Sequence, residues 1–168
     1  MSGPQAAGGH VYRLHRKSQT PGERGLPKLP VEAVRVSAVG LEGDYNVYRH
    51  DEKADDPAMA VLLMPLEMLT ELNREGWPVR PGDLGENITS LGIPYGEFAP
   101  GRRFRVGAIT VEVTKPCTPC DNLFQLPYIG PDRGSEFLRV MLDRRGWYAK
   151  VVQGGELRTG DPIEPESV

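Results

Sequence analysis

The stretch "GRRFRVGAITVEVT", from Gly101 to Thr114, reads as a β-hairpin. Phe104 and Val106 alternate with arginines and lead into a turn at Gly107. Beyond it, Ile109, Val111 and Val113 alternate with Thr110, Glu112 and Thr114. A period of two places all the apolar side chains on one face, as in a strand covered on one side only. "WYAKVVQGGELRTGDPI" near the C-terminus reads as a second hairpin, turning at Gly154–Gly155. "VEAVRVSAVGLEGD" (Val31–Asp44) reads as a strand, with Val34, Val36 and Ala38 on one face, running into a Gly-rich turn.

The segments between add few helices. "PLEMLTELNREGW" is expected to be helical, with Pro65 in the first position, Leu66, Leu69 and Leu72 on one stripe, and Gly76 as the stop. It follows "AVLLM" (Ala60–Met64), a buried strand or the approach to that helix. "GSEFLRVMLDRRG" gives a second helix, capped by Ser135 and ended by Gly146. "YNVYRHDEKADDPAM" (Tyr45–Met59) is polar and Asp-rich and reads as a loop. "PVRPGDLGENITSLGI" reads as a loop ending in a short strand near Glu86–Thr89. About six to eight short strands in hairpins, with two or three short helices, favour a mostly β fold, an antiparallel barrel, over a parallel α/β sheet.

A chain of 168 residues suits one domain. The 20 glycines and 16 prolines are spread along it, as expected of many short elements joined by tight turns. Residues 1–9 and 164–168 are expected to be loose ends. No run reaches the roughly 20 apolar residues of a membrane span, and "MSGPQAAGGH" has no signal-peptide pattern. The expected compartment is the cytoplasm. A net charge of −3 gives no long-range pull toward nucleic acid or membrane, so an anionic ligand needs a local cluster of cations.

Both cysteines fall just after the opening hairpin, in "TKPCTPCDNL". In a reducing compartment a structural disulfide is not expected of Cys117 and Cys120. The pair could be inert core thiols, a redox pair, half of a zinc site, or one reactive or metal-binding thiolate. A thioredoxin-like pair wants a βαβ context. Zinc wants four ligands, and only His10, His15 and His50 are available to complete a set. Thr118 and Pro119 can open a short helical turn with Asp121 reaching back. That would place Cys120 in the first turn, near unpaired N–H groups and near Lys115. Cys120 is therefore the expected reactive thiol. Elsewhere, Asn87 and Thr89 are expected on one strand face, with Glu86 and Ile88 on the other, beside a Gly-rich loop suited to a polar ligand. Arg49 and His50 could line a cleft. "RRGWY" (Arg144–Tyr148) reads as a helix end followed by a core aromatic.

"GLEGD", "PGDLGENITSLGI", "GRRFRVGAITVEVTKPCTPCDNL" and "RRGWYAKVVQGGELRTGDPI" together, in this order from about Val31 to Ile163, resemble the successive blocks of a MOSC domain, the family named for the C-terminal domain of molybdenum-cofactor sulfurase. The chain is similar to its small free-standing bacterial members. The resemblance implies a single domain over residues 1–168 with a core of about 31–163, and a barrel like the small one inserted in pyruvate kinase. It also implies one functional cysteine, here Cys120 in "TPCDNL", as a molybdenum ligand or a persulfide carrier. Lys115, Asn87 and Thr89, and more distantly Arg49 and His50, match positions that could hold the pterin of molybdenum cofactor. Cys117 departs from the pattern as an extra thiol. The activity implied is reduction of N-hydroxylated compounds, fed by a separate reductase or electron-transfer protein. The alternative is sulfur transfer from a pyridoxal-phosphate-dependent cysteine desulfurase. A third possibility is a non-enzymatic binding barrel. Pyridoxal phosphate is expected only through such a partner enzyme, because Lys17, Lys28, Lys53, Lys115 and Lys150 offer no Schiff-base context.

Overall fold

The computed structural model describes residues 8–23 and 25–167. Its strands are β1 (Gly9–Arg16), β2 (Leu29–Val31), β3 (Ala33–Ser37), β4 (Gly40–Leu41), β5 (Val61–Pro65), β6 (Ile88–Leu91), β7 (Arg103–Val106), β8 (Ile109–Pro116), β9 (Trp147–Gln153), β10 (Gly155–Arg158) and β11 (Pro162–Pro165). Its α-helices are α1 (Val47–Lys53), α2 (Leu66–Arg74) and α3 (Gly130–Val140). Among the described residues no helix is long and apolar enough to cross a membrane.

Seven strands close a barrel in the order β11-β7-β8-β9-β5-β6-β1, with β1 pairing back onto β11 through Gly9 and Ile163. Closure removes the unpaired edges that an open sheet exposes. The β7–β8 hairpin is as expected, with Val106 opposite Ile109 and Phe104 opposite Val111. Its inward face, Phe104, Val106, Ile109, Val111 and Val113, is buried in one apolar core with Val11, Leu14 and Ile163. Among the described residues only β5 and β6 pair in parallel, and the helical segment α2 connects them. A second core lies outside the barrel, where Leu69 and Leu72 of α2 meet Phe137 of α3, Trp77 and Leu123.

Several elements differ from expectation. Tyr45–Met59 is not a loop: it contains α1, capped by the Asn46 side chain accepting from the Arg49 N–H, and a 3-10 turn at Pro57–Met59. Apolar periodicity is absent there, so the helix shows only in its cap. Pro65 is the cap of α2 rather than its first residue, and α2 otherwise matches expectation. Helix α3 starts at Gly130, so Ser135 lies inside it, and it ends at Val140, well before Gly146. Strands β9 and β10 do not pair with each other. β9 lies between β8 and β5, whereas β10 joins β3 in a small separate sheet. Gly154 makes the crossing possible, because a Cβ there would press on the Val36 carbonyl. Strand β6 starts at Ile88, two residues later than expected. Of the expected loose ends, Gly9 belongs to β1 and Glu164 and Pro165 to β11, while residues 1–7 and 168 lie outside the described residues.

Candidate functional site

Strand β8 runs out of the barrel at Pro116, and the chain then lines a cavity of about 260 Å³. Its walls come from distant segments: Leu26 and Lys28, Tyr45 to Tyr48 with Lys53 around α1, Leu84 and Gly85, Lys115 and Pro116, Thr118 to Cys120, and Arg145 with Tyr148. Met59, Leu62 and Tyr148 form a small apolar cluster with Cys117 at this end of the barrel. Four cations, Lys28, Lys53, Lys115 and Arg145, line the cavity, and among the described residues no carboxylate does.

Cys120 opens into this cavity, half-buried. It sits before a 3-10 turn, Asp121–Gln125, in extended conformation (φ −142°, ψ 173°). The turn thus starts two residues later than expected, with Cys120 rather than Thr118 in the cap position, so Cys120 is not in its first turn. The cation on its sulfur is Arg145, whose Nη1 lies 3.2 Å from Sγ. Arg145 also donates to the carbonyls of Thr118 (3.2 Å) and Leu84 (3.4 Å). Its side chain is buried, its Nε has no partner, and no acid among the described residues pairs with it. An unpaired buried guanidinium is costly in an apolar surround. It is the natural counterpart of an anion entering from the cavity. Burial works against its charge, but the neighbouring Cys117 and Cys120 outweigh this and hold it firmly protonated.

Gly146 fixes this corner. At φ +94° it takes a left-handed conformation, and an added Cβ would collide with the Leu63 carbonyl. Its carbonyl accepts from the Cys117 N–H at 2.9 Å, and its own N–H donates to the Tyr95 hydroxyl at 3.1 Å. The cysteine loop and Arg145 are thereby tied to one residue.

The expected site residues divide. Cys120 and Lys115 both line the cavity. Asn87 does not. It is buried, its Oδ1 accepts from the Leu62 N–H (3.0 Å), and its Nδ2 donates to Asp44 (2.8 Å) and to the His15 carbonyl (3.3 Å). Asp44 in turn holds Lys28 at 2.7 Å, so Asn87 acts on the cavity wall through this ion pair. Thr89 is buried and donates to Glu86 at 3.2 Å, which corrects the reading that placed the two on opposite faces. Arg49 is spent on the backbone carbonyls of Val39, Asp55 and Asp56 and borders a neighbouring groove. His50 is exposed, its Nδ1 3.2 Å from the Asp55 carboxylate. Lys28, Lys53 and Arg145 were not anticipated. "RRGWY" carried the one usable signal for Arg145, a cation beside a glycine between two elements.

Two buried titratable groups lie near this end of the barrel. Glu86 is fully buried and bonded only through Oε2 to Thr89 among side chains; burial raises its pKa to about 7. His15 is buried with Nδ1 unpartnered; burial first, then Arg13 and Lys28, lower its pKa to about 4.

Comparison with known proteins bears on fold and family. The YuaD protein from Bacillus subtilis superposes with a TM-score of 0.79 at 20% identity, over 96% of this chain and 97% of that one. YiiM from Geobacillus stearothermophilus gives 0.68 at 24% identity, over 95% of this chain and 75% of that one. YiiM from Escherichia coli gives 0.65 at 22%, over 94% and 70%. No curated protein sequence matches significantly. The family model of the MOSC domain matches residues 50–164, which spans most of the barrel, the cysteine loop and Arg145. The chain belongs to the MOSC domain family.

Proposed function

We propose that this chain holds molybdenum cofactor in the cavity, with the Cys120 thiolate as the protein's ligand to the metal, and that it reduces N-hydroxylated compounds. The observation that carries this is a half-buried sulfur in a cavity whose wall bears four cations and no acid among the described residues. The residues fit such a group. A thiolate is a soft ligand suited to a metal of this kind. The pterin phosphate is an anion, and Lys28, Lys53, Lys115 and the orphaned Nε of Arg145 are cationic donors that would hold it. No three His, Cys, Asp or Glu side chains converge anywhere among the described residues, so a metal here would rest on one sulfur and on ligands the cofactor brings.

Bound there, the cofactor would supply two-electron redox chemistry. The protein's share is placement. Arg145 orients the Cys120 sulfur and compensates its charge. Tyr45, Tyr48 and Tyr148 give the cavity flat walls. Lys28, fixed by Asp44, offers a cation at a set position with little rotamer freedom to lose. Electrons would come from a separate reductase.

The same Arg145 contact would also suit a persulfide anion on Cys120, and this favours sulfur transfer from a pyridoxal-phosphate-dependent desulfurase as the second reading. One experiment separates the two. Protein from a cofactor-competent host is analysed for molybdenum and for intact mass, beside Cys120→Ala and Cys117→Ala. Metal near one per chain, lost only in Cys120→Ala, is expected. No metal in any sample overturns the reading, and a sulfur adduct of about 32 Da on Cys120 then supports the carrier.

A further inference from the structure

Cys117 has no part in the function proposed above, yet its sulfur is connected to that of Cys120. Cys117 Sγ faces the Thr118 carbonyl oxygen at 3.9 Å. That oxygen accepts from Arg145 Nη1 at 3.2 Å, and the same nitrogen lies 3.2 Å from Cys120 Sγ. The two residues between the cysteines, Thr118 and Pro119, belong to no helix or strand. The Cys117 N–H is held by the Gly146 carbonyl, and the segment between the two cysteines lies outside any strand or helix. Their environments differ. Cys117 is buried with Met59, Leu62 and Tyr148, whereas Cys120 is half-exposed in the cavity. A reagent entering the cavity meets Cys120 first, and Cys117 is the next thiol along the loop.

We propose that Cys117 is the resolving thiol of Cys120, so that a hydroperoxide in the cavity converts the pair into a reversible internal disulfide. The Cys120 sulfur attacks the terminal peroxide oxygen. The O–O bond breaks, water (or an alcohol) leaves, and Cys120 becomes a sulfenic acid. The Cys117 sulfur then attacks the Cys120 sulfur. The S–O bond breaks, a second water leaves with the Cys117 proton, and the S–S bond forms. Two electrons have passed from two thiols to the peroxide, and a small dithiol returns them. Arg145 faces the sulfur on which the intermediate forms. Closure takes the Cys120 sulfur out of service as a ligand or carrier, and keeps it from the irreversible sulfinic and sulfonic acids. The pairing depends on the two sulfurs alone and operates in chains whose Cys120 sulfur is not bound to a metal.

The test uses the full chain, freed of reductant, with hydrogen peroxide as the probe. Free thiols, intact mass and the cross-linked peptide are read for wild type, Cys117→Ala, Cys117→Ser and Cys120→Ala. Wild type should lose both thiols and about 2 Da within one chain, and dithiothreitol should restore them. Both Cys117 variants should instead gain about 16 to 48 Da on Cys120, part of it beyond dithiothreitol's reach. Cys120→Ala should keep its thiol at peroxide levels that close wild type. Wild type that gains oxygen on Cys120 while Cys117 stays free overturns the proposal, as does cross-linking between chains in place of the internal bond. Wild-type behaviour alone decides if a variant fails to fold. Molybdenum content is measured separately, so its absence would count against the proposed function and leave this result standing.

Discussion

Strand β8 and the loop that follows it form two halves that obey different rules. Ile109, Val111 and Val113 are wholly buried in the apolar interior of the barrel. Beyond it, Lys115 at the strand's end and Cys120 in the loop line a cavity whose wall carries four cations. The first half is stabilised by apolar area removed from water, at roughly 25 cal/mol per Å². The second gathers like charges and leaves a guanidinium nitrogen unpartnered, and neither helps folding. One continuous stretch of chain therefore supplies stability in the strand and carries a destabilising arrangement just beyond it. Polar groups held against their own solvation are what a binding site needs, and a rigid barrel tolerates them.

Removing core volume gives the largest effect. Phe104→Ala, at a fully buried position packed against Phe98, should cost about 4 kcal/mol in denaturant unfolding. A loss below about 1 kcal/mol would mean the barrel interior is not the source of stability.

Next comes pH. Above pH 6.5 His15 is neutral whether the chain is folded or not. As pH falls from 6.5 toward about 4, the unfolded chain takes up a proton that the buried ring refuses, so stability falls. Glu86 acts oppositely. Between its ordinary 4.5 and about 7 the folded chain keeps a proton that the unfolded chain has lost, so stability falls as pH rises. Each is worth up to about 3 kcal/mol, and between pH 4.5 and 6.5 they offset each other. Glu86→Gln should unmask stability that rises with pH from about 4 to 6.5, and His15→Gln stability that falls from about 4.5 to 7. Flat profiles in both variants would show that neither group is held as described.

Arg145→Met sharpens the contrast. Relief of a buried charge with no carboxylate partner offsets the lost contacts to two carbonyls and to Cys120 Sγ, so stability should stay within about 1 kcal/mol of wild type. Molybdenum retained per chain should fall at least about tenfold. A large loss of stability with full metal retention would make Arg145 a structural residue. The smallest effect belongs to Lys53 at the end of α1, where Lys53→Ala should change stability by less than about 0.5 kcal/mol and metal retention by roughly two- to fivefold.

Much of the β structure was legible because a strand covered on one side writes its burial with a period of two, as β7 and β8 of the barrel and β3 of the smaller sheet do. α2 was legible for the parallel reason at helical spacing. α1 was not, because Val47–Lys53 has no apolar stripe and ends on Ala54 and Asp55 at positive φ, where glycine would have marked the stop. The pairing of β9 and β10 with different neighbours was hidden as well, since adjacency in sequence favours a hairpin and only long-range contacts refuse it.

By itself the sequence determined that Cys120 follows the strand that becomes β8 and that Lys115 stands close by, because both follow from local periodicity and spacing. Only the tertiary structure decided that Arg145, 25 residues away, rests on the Cys120 sulfur. It also decided that Lys28 and Lys53 complete the cationic wall, and that Arg49 and Asn87 spend their polar atoms inside the protein. A charged side chain carries no mark of the partner it will meet. That partner is fixed when barrel closure brings separate loops to one rim, and the free energy that closes the barrel comes from the apolar core rather than from the charges it brings together.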